Sequence, residues 1–124
     1  MFQLDFCDHR PLYEQIKDKM KELIINGVLS ENDKIPSVRE LAAKLAINPN
    51  TIQKAYKDLE NEGYIYSQKA KGNFVSPKEV AKETTNVLEL SEAIVNMVKE
   101  MKFLGVKKED LIKKITEIYE EEGL

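Results

Sequence analysis

Asn50 and Gln53 are two amides three residues apart in the run Asn48-Pro49-Asn50-Thr51-Ile52-Gln53-Lys54. Each places a donor and an acceptor on one planar group, the pattern that pairs with adenine N6 and N7 in the DNA major groove. Thr51 adds a hydroxyl for a phosphate and a methyl for a thymine. Lys54 and Lys57 bring ammonium groups that can reach phosphates. Upstream, Arg39 offers a planar fork for a phosphate or a guanine, or else a partner for Glu40 or another acid. Lys69, Lys71 and Gly72 form a second basic cluster. These residues suit duplex DNA. Each also has an ordinary explanation, as a solvated helix face or a solvated hairpin tip, so the elements that carry them decide.

A helix beginning at Asn48 accounts for the first group. Asn48 caps it and Pro49 takes its first position. Ile52, Ala55, Tyr56 and Leu59 recur at helical spacing and face inward, which leaves Asn50, Thr51, Gln53, Lys54 and Lys57 outside. The positive end of the helix dipole and its free N–H groups favour phosphate at the same end. Glu62-Gly63 closes the helix.

A shorter helix precedes it. Ser37 caps, and Glu40 three residues on completes a capping box. Val38, Leu41, Ala42 and Leu45 form its buried face, and Ala46-Ile47 makes the turn. After the recognition helix, Tyr64 to Ser67 and Asn73 to Ser76 read as two strands, with Lys69 and Lys71 at the tip of the loop from Gln68 to Gly72. A first helix starts at Pro11, carries Leu12, Ile16, Met20, Leu23 and Ile24 on one side, and ends at Gly27. Residues 28–35 are an extended connector, with Val28, Leu29 and Ile35 facing the core. The fold class is mainly α with a small β-hairpin, a winged helix-turn-helix over residues 1–76.

Beyond Pro77 the pattern changes. Val87, Leu90, Ile94, Met97, Met101 and Leu104 step by alternating threes and fours, a heptad seam of about two and a half repeats. Gly105 breaks it. A second helix from about Lys108 carries Leu111 and Ile115 on one side. This is more apolar surface than a lone helix leaves in water. One reading folds the seam back on its own domain; the other makes it a dimer contact. The first domain already has enough apolar residues for its own core, which favours dimerisation. Residues 77–124 are therefore a two-helix dimerisation tail, able to hold two recognition helices about one DNA turn apart over a pseudo-palindrome.

Composition narrows the alternatives. With 42% hydrophobic and 33% charged residues in 124, the chain has room for one domain, or a small domain with an appendage. The net charge of −3 conceals an asymmetry. Residues 34–71 hold seven basic and four acidic side chains, and residues 77–124 hold eight and eleven. No apolar run approaches the ~20 residues of a membrane span, and no signal-peptide pattern opens the sequence. A single cysteine, Cys7, excludes an internal disulfide. These features favour the cytoplasm. Cys7 and His9 do not make a metal site, and no phosphate-binding glycine loop is present. No enzyme constellation and no cofactor is implied. The competing function is a winged-helix module that binds protein without specific DNA binding.

The chain resembles the GntR family of bacterial transcription regulators. The resemblance rests on Pro11-Leu12-Tyr13-Glu14-Gln15-Ile16, on Ile35-Pro36-Ser37-Val38-Arg39-Glu40-Leu41-Ala42, on the run from Asn48 to Tyr56, on Leu59-Glu60-Asn61-Glu62-Gly63, and on Gly72-Asn73-Phe74-Val75. The short tail, with Phe103-Leu104-Gly105-Val106 before its last helix, is similar to the YtrA subfamily. The resemblance implies a dimeric, operator-binding repressor, with transporter or stress genes as targets. It carries DNA contacts over to Arg39, Asn50, Thr51, Gln53, Lys69 and Gly72. Four positions depart from the family pattern. Pro49 and Gln53 stand where many members have arginine, Ala70 where glycine is common, and Asn32 replaces a connector glycine. Only 48 residues follow Ser76, too few for a separate effector domain, although a small-molecule effector of unknown chemistry could still bind between the C-terminal helices or at the dimer contact.

Overall fold

The computed structural model describes Leu4, residues 9–84 and residues 87–121. The chain forms two compact units, residues 1–85 and 86–124.

The first unit opens with α1, Leu12–Ile25, whose Ile16 and Met20 are buried. Pro11 stands one position before the helix, and its carbonyl accepts from the Glu14 and Gln15 N–H groups. The buried Gln15 amide is satisfied by the Arg10 carbonyl at 3.2 Å. The connector then departs from expectation. Ile35 is buried and Leu29 packs on the core, but Val28 is 59% exposed. The chain reverses at Asn26-Gly27, with Gly27 at φ 77°, and Val28 falls on the outside of that reversal.

β1, Lys34–Ile35, lies in this connector. It pairs antiparallel with β3, Gly72–Val75, which also pairs with β2, Ile65–Gln68. The wing is therefore a three-stranded sheet of order β1-β3-β2, where the sequence indicated a hairpin. Two residues are too few to show a period-2 pattern, so β1 left no signal of its own.

Between β1 and β2 lie α2, Val38–Leu45, and α3, Pro49–Asn61. The expected capping box is present: Ser37 Oγ accepts from the Glu40 N–H at 3.1 Å, and Glu40 Oε1 accepts from the Ser37 N–H at 3.3 Å. α2 ends with Ala46 in the left-handed region at φ 55°, and the Ile47 N–H reaches back to the Ala42 carbonyl. α3 ends the same way through Gly63, with the Tyr64 N–H on the Leu59 carbonyl. This is the Schellman closure, which satisfies carbonyls that the helix end leaves without partners. The core gathers Ile16, Met20, Ile35, Leu41, Ile52, Ala55, Tyr56, Leu59, Ile65 and Val75 from every one of these elements. Burying each of the larger aliphatic side chains contributes about 1.5–3 kcal/mol against leaving it in water.

α4, Lys78–Thr84, belongs to this unit as well. Its first N–H donates to Glu31 Oε1 at 2.8 Å, and its last residue, Thr84, lies against Gly63. The first unit as divided by its internal packing thus includes α4.

The second unit is a helical hairpin of α5, Val87–Phe103, and α6, Lys108–Glu120. Gly105, at φ 86°, turns the chain between them, with the Val106 N–H on the Met101 carbonyl. No residue of either helix is buried. Val87, Leu90, Ile94, Met97, Leu104 and Ile115 are exposed, and Met101 and Leu111 are half-buried.

Candidate nucleic-acid interface

α3 presents two working faces. Asn50, Gln53, Lys57 and Glu60 recur at steps of three and four and therefore share one side of the helix. That side looks into a cleft of about 350 Å³ lined by Val38, Gln53, Tyr56, Lys57, Glu60, Ser67 and Asn73. The cleft lies between the recognition helix and the wing, and it brings together Gln53 and Lys57 from the sequence prediction. Thr51 is half-buried, and Lys54 faces α1.

The start of α3 differs from expectation in one respect. Asn48 Oδ1 accepts from the Asn50 N–H at 2.8 Å, and the Asn48 carbonyl accepts from the Thr51 N–H at 3.0 Å. Pro49 has no N–H. Those backbone donors are occupied, so phosphate attraction at this end rests on the helix dipole and on side chains.

Lys54 is also engaged. Its Nζ sits 3.9 Å from the centroid of the Tyr13 ring, a cation–π contact worth about 0.5–1 kcal/mol at an exposed site. The lysine is thereby pointed across α1. Arg39, in contrast, is exposed in the first turn of α2 and has no ion-pair partner among the described residues. The nearby carboxylate of Glu40 is turned back onto the Ser37 N–H.

In the wing, Lys69, Ala70 and Lys71 form the exposed tip, and the Lys71 N–H closes it on the Gln68 carbonyl at 3.0 Å. Ala70 takes the left-handed conformation at φ 66°, the geometry that makes glycine common there. Tyr66 and Phe74, paired across β2 and β3, stack with ring centroids 5.5 Å apart and stiffen the stem.

Sequence reading missed the tie between helix and wing. Glu60 Oε2 accepts from the Ser67 hydroxyl at 2.7 Å and from the Ser67 N–H at 3.1 Å. One carboxylate thus fixes β2 relative to the last turns of α3. It also places an acceptor in the cleft beside Lys57, and an acceptor there suits cytosine N4. The available signal was the helical spacing of Glu60 from Gln53 and Lys57.

The body of the domain is fixed from the other side. Lys17 and Lys21 of α1 both contact Glu62 at the end of α3, Lys21 at 3.2 Å. Burial acts to raise the Glu62 carboxyl, but hydrogen bonds and charge from the two lysines outweigh it, and its pKa falls below the ordinary value. Lys17 is raised, chiefly by its hydrogen bond to Glu62. Among the described residues no group of histidine, cysteine and carboxylate side chains could hold a metal ion.

A capped recognition helix, a capped helix crossing before it and a basic wing beside it define a winged helix-turn-helix DNA-binding domain. Residues 12–75 match the family of bacterial regulatory proteins described as the gntR family, and the chain belongs to that family. Within it the chain is of the YtrA type. It is 40% identical over 121 residues to the HTH-type transcriptional repressor YtrA of Bacillus subtilis (strain 168), covering 95% of this chain and 92% of that protein. YtrA from Sulfolobus acidocaldarius, a GntR-family transcription factor of known structure, superposes with a TM-score of 0.67 at 33% identity, covering 80% of this chain and 97% of that one. AraR(DBD), solved in complex with an operator, superposes with a TM-score of 0.53 at 32% identity, covering 61% of this chain and 93% of its own. The family and these relatives are transcription regulators, not enzymes.

Proposed function

We propose that the chain is a homodimeric repressor that reads a pseudo-palindromic operator. α3 enters the major groove with Asn50 and Gln53 toward base edges and Lys57 toward a phosphate. Arg39 takes a phosphate or a guanine, and Lys69 and Lys71 follow the backbone from the wing. The observation that carries this reading is the alignment of Asn50, Gln53 and Lys57 on one open face of a capped helix, beside a basic wing. The solved AraR(DBD) complex shows a related domain engaging an operator, which supports the same use here.

Dimerisation rests on the second unit. Its apolar side chains have no cover within the unit, and Ile94, for example, is 55% exposed. A second copy of the same helices would cover them and would set two recognition helices about one DNA turn apart. No helix among the described residues is long and apolar enough to cross a membrane, in keeping with work at DNA in the cytoplasm. A small-molecule effector would bind between the helices of this tail or at the dimer contact.

Selection from a random duplex library is expected to return an inverted repeat with half-site centres about 34–36 Å apart. Arg39→Ala is expected to weaken binding to that duplex by about 1–3 kcal/mol. Binding that shows no preference for any selected duplex over random DNA would sink the proposal and favour a protein-binding module.

A further inference from the structure

β1 brings a further lysine to the wing. Lys34 pairs with Phe74 of β3, and its side chain runs back across that strand. A Cβ built on Gly72 would stand 3.1 Å from Lys34 Cε and 3.8 Å from Nζ. The aliphatic stem therefore lies over the bare backbone of Gly72, which carries the ammonium to the base of the wing loop. Lys34 is exposed, and no ion pair or hydrogen bond holds its ammonium among the described residues. The adjacent Asp33 carboxylate is occupied by the Ser30 N–H at 2.8 Å.

Gly72 thus meets two demands. Its φ of 118° disfavours any residue with a side chain, and its missing Cβ leaves the path that Lys34 takes. We propose that Lys34 is a third phosphate-binding cation of the wing, alongside Lys69 and Lys71, and that Gly72 serves DNA binding by letting Lys34 cross. This rests on the reading that the wing meets DNA. A lysine on an edge strand has another use, keeping other strands away, and the test must tell the two apart.

The readout is the salt dependence of binding, because each lysine that neutralises a phosphate contributes about 0.9 to the slope of log K against log salt. The full chain would be titrated with a duplex selected from a random library, across a salt series, with circular dichroism confirming that each variant is folded. Lys34→Ala is expected to lower the slope by about 0.9 for each bound protomer. Lys34→Arg is expected to retain it. Gly72→Ala is expected to lower the slope in the parent protein and to leave it unchanged in a Lys34→Ala background. An unchanged slope for Lys34→Ala, while Lys71→Ala lowers it, overturns the proposal and leaves Lys34 as an edge lysine. If neither substitution lowers the slope, the wing reading itself has failed. An equal loss from Gly72→Ala in both backgrounds overturns the crossing role. If Gly72→Ala does not fold, Lys34→Ala and Lys34→Arg still decide whether Lys34 binds phosphate.

Discussion

Ala46 and Ala70 hold left-handed backbone, at φ 55° and 66°, where a side chain costs about 1–2 kcal/mol and glycine costs nothing. Glycine would give back about 0.4–1 kcal/mol through the freer unfolded chain. The strain is the larger effect, so Ala46→Gly should stabilise the first unit by about 0.5–1 kcal/mol and raise its melting temperature by about 2–6 °C. A thermal melt showing a lower midpoint would mean that Ala46 is not strained. Tyr56 gives a second residue-level prediction. Its buried hydroxyl donates to the Pro36 carbonyl at 2.7 Å, and burial, aided by the Glu40 charge, raises its pKa above the ordinary value of 10.0. A raised folded value means that the stabilisation is intact below about pH 10 and is lost as pH rises beyond it. Tyr56→Phe should cost about 1 kcal/mol at neutral pH, with a penalty that shrinks in urea melts above pH 10. A penalty constant with pH would rule out this linkage. At this scale the sequence was informative where a residue type has a local job: Asn48 and Ser37 cap as expected, and Asn32 adopts φ 66° as its replacement of glycine implied. It could not show that Lys54 would be drawn to Tyr13, since that contact joins helices far apart in the chain.

Between elements, α1 and α3 are joined at their polar margin by Glu62 with Lys17 and Lys21. The depressed Glu62 pKa means a contribution present above its unfolded value, near 4.5, and lost as pH falls below it. The raised Lys17 pKa gives a contribution present below about 10.5 and lost above. The clamp therefore operates between roughly pH 5 and pH 10. Because Glu62 is about a third exposed, solvent screening keeps the effect small. Glu62→Gln should cost about 0.5 kcal/mol at pH 7 and nothing near pH 3, as chemical denaturation at the two pH values would show. An equal loss at both would point to packing instead of charge. Helices with strong caps and clear periodicity, α1, α2, α3, α5 and α6, were legible in the sequence. β1 was not, because its pairing depends on β3, some forty residues later. α4 was also hidden: it follows Pro77 directly and buries nothing, so it has no apolar stripe to betray it.

For the whole molecule, the open apolar faces of α5 and α6 are the decisive surface. Ile94→Glu should leave the first unit folded while shifting the protein toward a 14.3 kDa species in sedimentation at micromolar concentration. It should weaken operator binding much more than binding to an isolated half-site. A variant that sediments like the parent would remove Ile94 from the contact. A parent protein sedimenting as a monomer would remove the dimer altogether. The seam was legible because heptad spacing survives in sequence. What would cover it was not, since heptad spacing marks an apolar face without naming what packs on it.

The Glu60–Ser67 tie has a consequence for behaviour in concentrated solution. β2 is an outer strand of the sheet, and an outer strand with free N–H groups invites another chain to extend the sheet. A carboxylate seated on the Ser67 N–H closes that docking point and sets a negative charge beside it. The acid that ties the wing to α3 is thus expected also to hinder fibril-like stacking. Glu60→Ala would expose it to slow aggregation even where DNA binding survived.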